Sequence, residues 1–166
     1  TAVFYETSAY SRATDSTSLK RFSSIIRATT PGFFALTDAP FAYGSGFTSD
    51  SGFDVVIGHD LNLKLFDGKD SVGKSIELEG QSFQVVGVLQ PWFLRPLFYH
   101  ASEGRAFNPT DDLFVPLETA IDLNFGISGR SSSTENVSGV SDSREKNSFY
   151  LHAWVQLDTK SQQQAF

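Results

Sequence analysis

The chain has 166 residues, 40% of them hydrophobic and sixteen of them Phe, with 13 Lys and Arg against 19 Asp and Glu for a formal charge of −6. That length and apolar content support one folded core and exclude disorder for most of the chain, and an acidic balance whose densest basic cluster is Arg12, Lys20, Arg21 and Arg27 argues against a nucleic-acid partner. The absence of cysteine excludes disulfides, Cys-ligated zinc and thiol catalysis, and no apolar run approaches the ~18 residues a membrane span needs.

In chain order, Val3, Tyr5 and Thr7 alternate with Ala2, Phe4 and Glu6, which predicts a strand from the first residue. With no Met anywhere and no basic, then apolar leader, the reading is of a segment cut from something longer. After the Ser/Thr-rich residues 8–18, Leu19, Phe22 and Ile26 recur at helical spacing. Ile25 widens that stripe, Asp15 or Ser16 is available as N-cap, and Pro31-Gly32 marks the end of the expected helix. Phe33, Phe34 and Leu36 read as a short buried strand or turn, and Tyr43-Gly44-Ser45-Gly46-Phe47 as a change of direction.

Residues 53–57 are a β-branched buried strand, and Leu61, Leu63, Leu65 and Phe66 a short helix with Asp60 near its N-terminus. Ile76 and Leu78 alternate with Ser75, Glu77 and Glu79 before the turn Gly80-Gln81 and the apolar run 83–89, which together predict a hairpin. Phe114-Val115 before Pro116 is a further strand, and residues 117–125 a helix closed at Gly126. Residues 126–148 hold eight Ser among 23 residues and predict a mobile surface loop. Leu151, Ala153, Val155 and Leu157 then alternate with Tyr150, His152, Trp154 and Gln156 as a strand. A helix starts beyond it with Asp158 or Thr159 as cap.

Residues 68–75 satisfy the phosphate-cradling pattern G-x-x-x-x-G-K-[ST]. That chemistry requires a strand entering the loop and a helix leaving it, so that helix N–H groups converge on the phosphates. Here a helix enters and Ile76-Glu77-Leu78-Glu79-Gly80 leaves as a strand, so a nucleotide site is not expected. His59, His100 and His152 are scattered, and His59-Asp60, as neighbours on an extended chain, are expected to point apart. Asp38, Asp50, Asp54, Asp60, Asp70, Asp111 and Asp112 mostly occur beside turn residues, which favours local backbone hydrogen bonding over acid–base work. No G-x-S-x-G is present, Gly44-Ser45-Gly46 lacks the third glycine of a dinucleotide fingerprint, with Ser49 in its place, and Asn136-Val137-Ser138 is a glycosylation sequon only in a glycosylating source. Trp92, Phe93, Phe98 and Tyr99, around Pro91 and Pro96, are the candidate partner-contact residues. No catalytic, cofactor or metal residues are expected.

An ordered series of motifs carries more. Thr30-Pro31-Gly32-Phe33-Phe34, Val55-Val56-Ile57, Leu65-Phe66, Val72-Gly73-Lys74-Ser75-Ile76-Glu77-Leu78 and Val85-Val86-Gly87-Val88-Leu89 resemble the extracytoplasmic core domain of MacB-type ABC transporter permeases. Asp112-Leu113-Phe114-Val115-Pro116-Leu117 with Thr119-Ala120 extends the likeness, as does the closing strand and helix over 149–166. Gly44-Ser45-Gly46-Phe47 departs from the family's G-R-x-F in lacking the Arg.

The resemblance implies an α+β fold of two lobes. One is an α/β, porter-like lobe from residues 1–48 and 149–166; the other is a β-rich lobe with short helices inserted over 49–148. It further implies a non-catalytic role on the periplasmic face of the bacterial inner membrane, held by flanking transmembrane helices outside this chain. The domain would transmit the cycle of a cytoplasmic ATPase module to periplasmic substrate or to an adaptor, with a second permease copy as dimer partner. The alternative is a module that captures a lipid, peptide or lipoprotein between the lobes.

Overall fold

The computed structural model describes residues 1–14, 20–92, 110–128, 140 and 151–165. Among the described residues eight strands and four helices follow in chain order: β1 (Ala2–Ala13), β2 (Phe22–Thr29), α1 (Gly32–Leu36), β3 (Phe41–Gly44), β4 (Asp54–Ile57), α2 (His59–Phe66), β5 (Ser75–Leu78), β6 (Gln81–Leu89), β7 (Leu113–Pro116), α3 (Leu117–Asp122), β8 (His152–Trp154) and α4 (Lys160–Ala165). Strands dominate this mixed α/β fold.

All eight strands belong to one sheet, and its pairing path closes on itself. β1 pairs antiparallel with β2 through Phe4↔Thr29 to Ser11↔Phe22 and, at its far end, with β5 through Ser11↔Leu78 to Ala13↔Ile76. From β2 the path runs to β7 in parallel, then β4, β6 and back to β5. β8 continues the β5 side of β1 toward its start, and β3 continues the β5 side of β6 toward its end. The pairing therefore has no seam at residue 48. β1 and β2 from the first segment bond directly to β5 and β7 of the middle one, and the sheet alone lends the two-lobe expectation no support.

The central strands β4 and β7 are buried on both faces, which explains why they read as near-continuous apolar runs. Tyr5, Ala9, Ile26, Val55, Ile57, Ile76, Leu78, Phe83, Val85, Leu113 and Val115 fill the inside of the ring, joined by Leu61 and Phe66 of α2 and Ala120 of α3. On the opposite face Ala2, Phe4, Val56, Leu89 and Phe114 pack under Phe33 and Phe34 of α1, with Phe47 beside them. Alternation assigns the faces: Val55 and Ile57 turn inward while Val56 turns outward.

Three expectations need correction. Residues 20–26 do not form the expected helix: β2 is a strand in which Ser24, Ile26 and Ala28 face the ring interior. Leu19, Asp15 and Ser16 lie outside the described residues. Pro31 does not end a helix but precedes one, and Phe33 and Phe34 sit in α1, both buried. Proline's fixed φ suits that first-turn position. The helix after β7 ends at Asp122, and Asn124, at φ +52°, turns the chain ahead of Gly126.

Other elements match the sequence reading. The β5–β6 hairpin is present with its turn one residue earlier than expected: Leu78 pairs with Gln81 around Glu79 and Gly80, both at positive φ, the two-residue turn whose twist suits antiparallel strands. α4 is capped at Thr159, whose Oγ1 accepts from the Gln162 N–H, while Gln162 Oε1 accepts from the N–H groups of Asp158 and Thr159. Most of the Ser-rich stretch 126–148 lies outside the described residues. Within it Ser128 bridges to Glu6 and Val140 is buried.

Candidate functional site

The partner-contact candidates divide. Trp92 follows β6 and is half-buried on the outer layer, its ring 6.4 Å from that of Phe114. Phe93, Phe98 and Tyr99 lie outside the described residues. The exposed large apolar side chains among the described residues include Tyr10 on β1, Phe53 before β4, Leu63 on α2 and Trp154 on β8.

The strongest electrostatic feature is one that local sequence patterns missed. Arg27, fully buried on β2, donates from Nε to Asp111 Oδ2 at 3.0 Å and from Nη2 to Asp111 Oδ1 at 3.1 Å, a two-pronged pair just before β7. Glu6, directly opposite on β1, has Oε2 3.6 Å from Arg27 Nη2. The guanidinium also lies over the Phe4 ring, 5.3 Å from its centroid. Arg27 therefore belongs to no surface basic patch, and Asp111 is no turn carboxylate. Arg12 is likewise engaged, in an ion pair with Glu77 across the β1–β5 seam. That hydrogen bond holds the Glu77 carboxyl below its ordinary range and the Arg12 guanidinium above its own.

Asp112 stitches three elements together. Its Oδ2 accepts from the Ile25 N–H at 2.8 Å, its own N–H donates to Ile25 O, and its carbonyl accepts from the Gly58 N–H ahead of α2. Burial pushes its carboxyl above the ordinary carboxylate range, with Asp111 and Asp60 adding to the rise and the Ile25 N–H and Lys64 opposing it. The folded chain thus holds this proton at pH values where the unfolded chain has released it. Stability falls as pH rises from 3.8, the ordinary value, through the raised one. Asp112→Asn keeps an oxygen acceptor and removes the charge. Its urea midpoint is expected to exceed that of the parent at pH 7, by a margin that narrows as pH falls toward 3.8; a variant less stable at pH 7 contradicts this.

The glycine–lysine turn is no phosphate cradle. α2 enters it and β5 leaves it, Gly73 N–H donates to Val85 O, and Lys74 N–H donates to Ser71 O, so these donors serve the turn itself. Asn62 and Ser71 brace the turn from within through a 2.8 Å hydrogen bond, and Lys74 Nζ lies 4.9 Å from the Phe66 ring centroid. His59 and Asp60 do meet, Nδ1 to Oδ1 at 3.0 Å, because both occupy the first turn of α2 rather than an extended chain. The pair is exposed. His152 stacks on Phe4, and His100 lies outside the described residues. Asp38, at φ +48°, and Asp70, which accepts from the Val72 N–H, keep the turn roles expected of them. Among the described residues no three His, Cys, Asp or Glu gather as a metal site, and no helix is long and apolar enough to cross a membrane.

Solved structures of extracytoplasmic transporter regions are similar to this fold. The periplasmic region of MacB from Actinobacillus actinomycetemcomitans matches with a TM-score of 0.54 and 16% identity, over 74% of this chain and 50% of that one. The extracellular domain of the noncanonic ABC-type transporter YknZ from Gram-positive bacteria matches with a TM-score of 0.54 and 17% identity, over 73% and 56%. This chain thus spans about half the length of the structures it matches. No curated protein sequence matches it. The profile of the MacB-like periplasmic core domain matches residues 1–166, and the chain belongs to that family. It is therefore a periplasmic core domain of an ABC transporter permease, placed on the extracytoplasmic side of the membrane.

Proposed function

We propose that the chain is a non-catalytic transmission element that moves as one body, carrying the cycle of a cytoplasmic ATPase to periplasmic substrate or to an adaptor protein. The second permease copy would carry the opposing domain, and relative displacement of the two would push or gate the substrate. The permease's membrane helices would deliver the motion.

The closed strand path carries this reading. Motion applied at β1 passes by hydrogen-bonded ladders to β2 and β5 at once, and through them to β4, β6 and β7. Such a ring resists internal hinging, because opening it requires breaking a whole ladder rather than bending a linker.

The rival, a cleft between residues 1–48 with 149–166 and residues 49–148 that opens to capture a lipid, peptide or lipoprotein, requires the β1–β5 seam to part. Arg12 and Glu77 are register partners on that seam. The chain has no cysteine, so an Arg12→Cys, Glu77→Cys pair introduces its only thiols. Facing residues of an antiparallel pair have the Cα separation a disulfide needs. In the assembled transporter, ATP turnover is expected to be equal in oxidised and reduced forms. Turnover lost on oxidation and restored by reduction contradicts rigid transmission and favours capture.

A further inference from the structure

β8 and β1 meet at the start of the sheet, through Ala2↔Trp154, Val3↔Ala153 and Phe4↔His152. The two strands are held very differently. The first residues of β1 are clamped from the other side: Val3 N–H donates to Thr30 Oγ1 at 3.0 Å, and Val3 O accepts from the Thr30 N–H at 3.0 Å and from Thr29 Oγ1 at 3.2 Å. α1 presses so closely that a Cβ on Gly32 would stand 2.1 Å from Thr1 O. β8 is three residues long and, among the described residues, lies at the sheet's edge. Ala153 and Trp154 are exposed, His152 is half-buried with its ring stacked on Phe4 at 5.8 Å, and Leu151 and Val155 on either side are exposed.

We infer that β8 is a releasable strap: it peels from β1 as a unit while the ring stays closed, and its release frees the chain leading into α4 to change direction relative to the ring. Short, solvated edge strands sit at the low end of the local-opening scale, and strands paired on both sides with buried faces sit at the high end. Val55, Val56 and Ile57 of β4 are of the second kind, each fully buried between β6 and β7. The strap deepens the transmission reading and rests on it for its role, because a body moved by the membrane helices needs a place where the connection can pivot. The peeling itself stands on geometry alone.

The register also supplies the test. Because Val3 spends its N–H and C=O on Thr30, Val3↔Ala153 is the pair without mutual hydrogen bonds, the closer of the two antiparallel spacings and one a disulfide can bridge. Hydrogen exchange on the unmodified full-length permease is expected to show the His152 and Trp154 amides exchanging on the order of 100-fold faster than those of β4. Oxidising Val3→Cys, Ala153→Cys in that permease should lower ATP turnover roughly tenfold, as locked conformational steps do, with reduction restoring it. Amides of β8 as slow as those of β4, or a lock that leaves turnover unchanged, overturns the strap. The Arg12 and Glu77 lock judges rigid transmission separately, so a failure of either idea is told from the other.

Discussion

Arg27→Ala is expected to destabilise the chain by about 3–5 kcal/mol, the range measured when one member of a buried ion pair is removed. The loss removes the two-pronged cationic partner of Asp111, which is 2% exposed, and the cation beside Glu6, which is 4% exposed. Domains of this size have roughly 5–15 kcal/mol of stability in total, so the variant sits near the folding threshold. Arg27→Lys should recover only part, because an ammonium cannot reproduce the two-pronged contact to Asp111. Removing two of the three charges with Arg27→Met and Asp111→Leu is expected to cost less than Arg27→Ala alone, since one buried carboxylate rather than two is then left beside the lost cation. Urea unfolding of the three variants checks the order. An Arg27→Ala midpoint within error of the parent contradicts the structural role assigned to the pair.

Gly87→Ala is the second large effect, at about 3 kcal/mol, the upper part of the overpacking range. β6 carries a bulge here: Val55 pairs with Val85 and Val56 with Gly87, which leaves Val86 as the extra residue. The Gly44-Ser45-Gly46 segment crosses this bulge, and Ser45 N–H donates to Val86 O at 3.2 Å. A Cβ on Gly87 would stand 2.2 Å from Ser45 O and 2.8 Å from the Phe41 ring. The first contact is with backbone, which no rotamer change relieves, so β3 must move off β6. Unfolding of Gly87→Ala should show the lowered midpoint, and hydrogen exchange should show β3 losing protection before the ring does. Unchanged protection of β3 contradicts the clash.

Local chemistry made part of this legible beforehand. The β5–β6 hairpin, its turn shifted by one residue, the β-branched strand 54–57 and α2 each follow from a few adjacent residues whose pattern has one physical solution. β2 did not, because Phe22 and Ile26 fit a helical stripe as well as a strand. What selects the strand is Ser24, a polar residue on an inward face, tolerated because its hydroxyl meets that of Ser11 at 2.7 Å across the β1–β2 pair. Inward polar residues of this kind hide the alternation that marks a strand. Arg27 and Asp111, 84 positions apart, appear as a surface cation and a turn carboxylate until the ladder brings β2 beside β7. The signal available was an arginine between Ile26 and Ala28 in a run that suits a buried strand. Ring closure through β1 and β5 is similarly beyond local pattern, since their pairing joins residues 11–13 to 76–78. The ordered motif series found the family without resolving how its segments pair.

The most direct measurement is a pair of spin labels within one domain of the assembled transporter, at Ser23 on β2 and Ser82 on β6, both exposed. The two positions lie in the segments that a hinged, two-lobed domain would separate. The distance distribution between them is expected to stay the same in nucleotide-free and ATP-trapped states, while the distance from Ser23 of one copy to Ser23 of the other changes. A shift in the Ser23–Ser82 distance on trapping would contradict the claim that this sheet moves as one body.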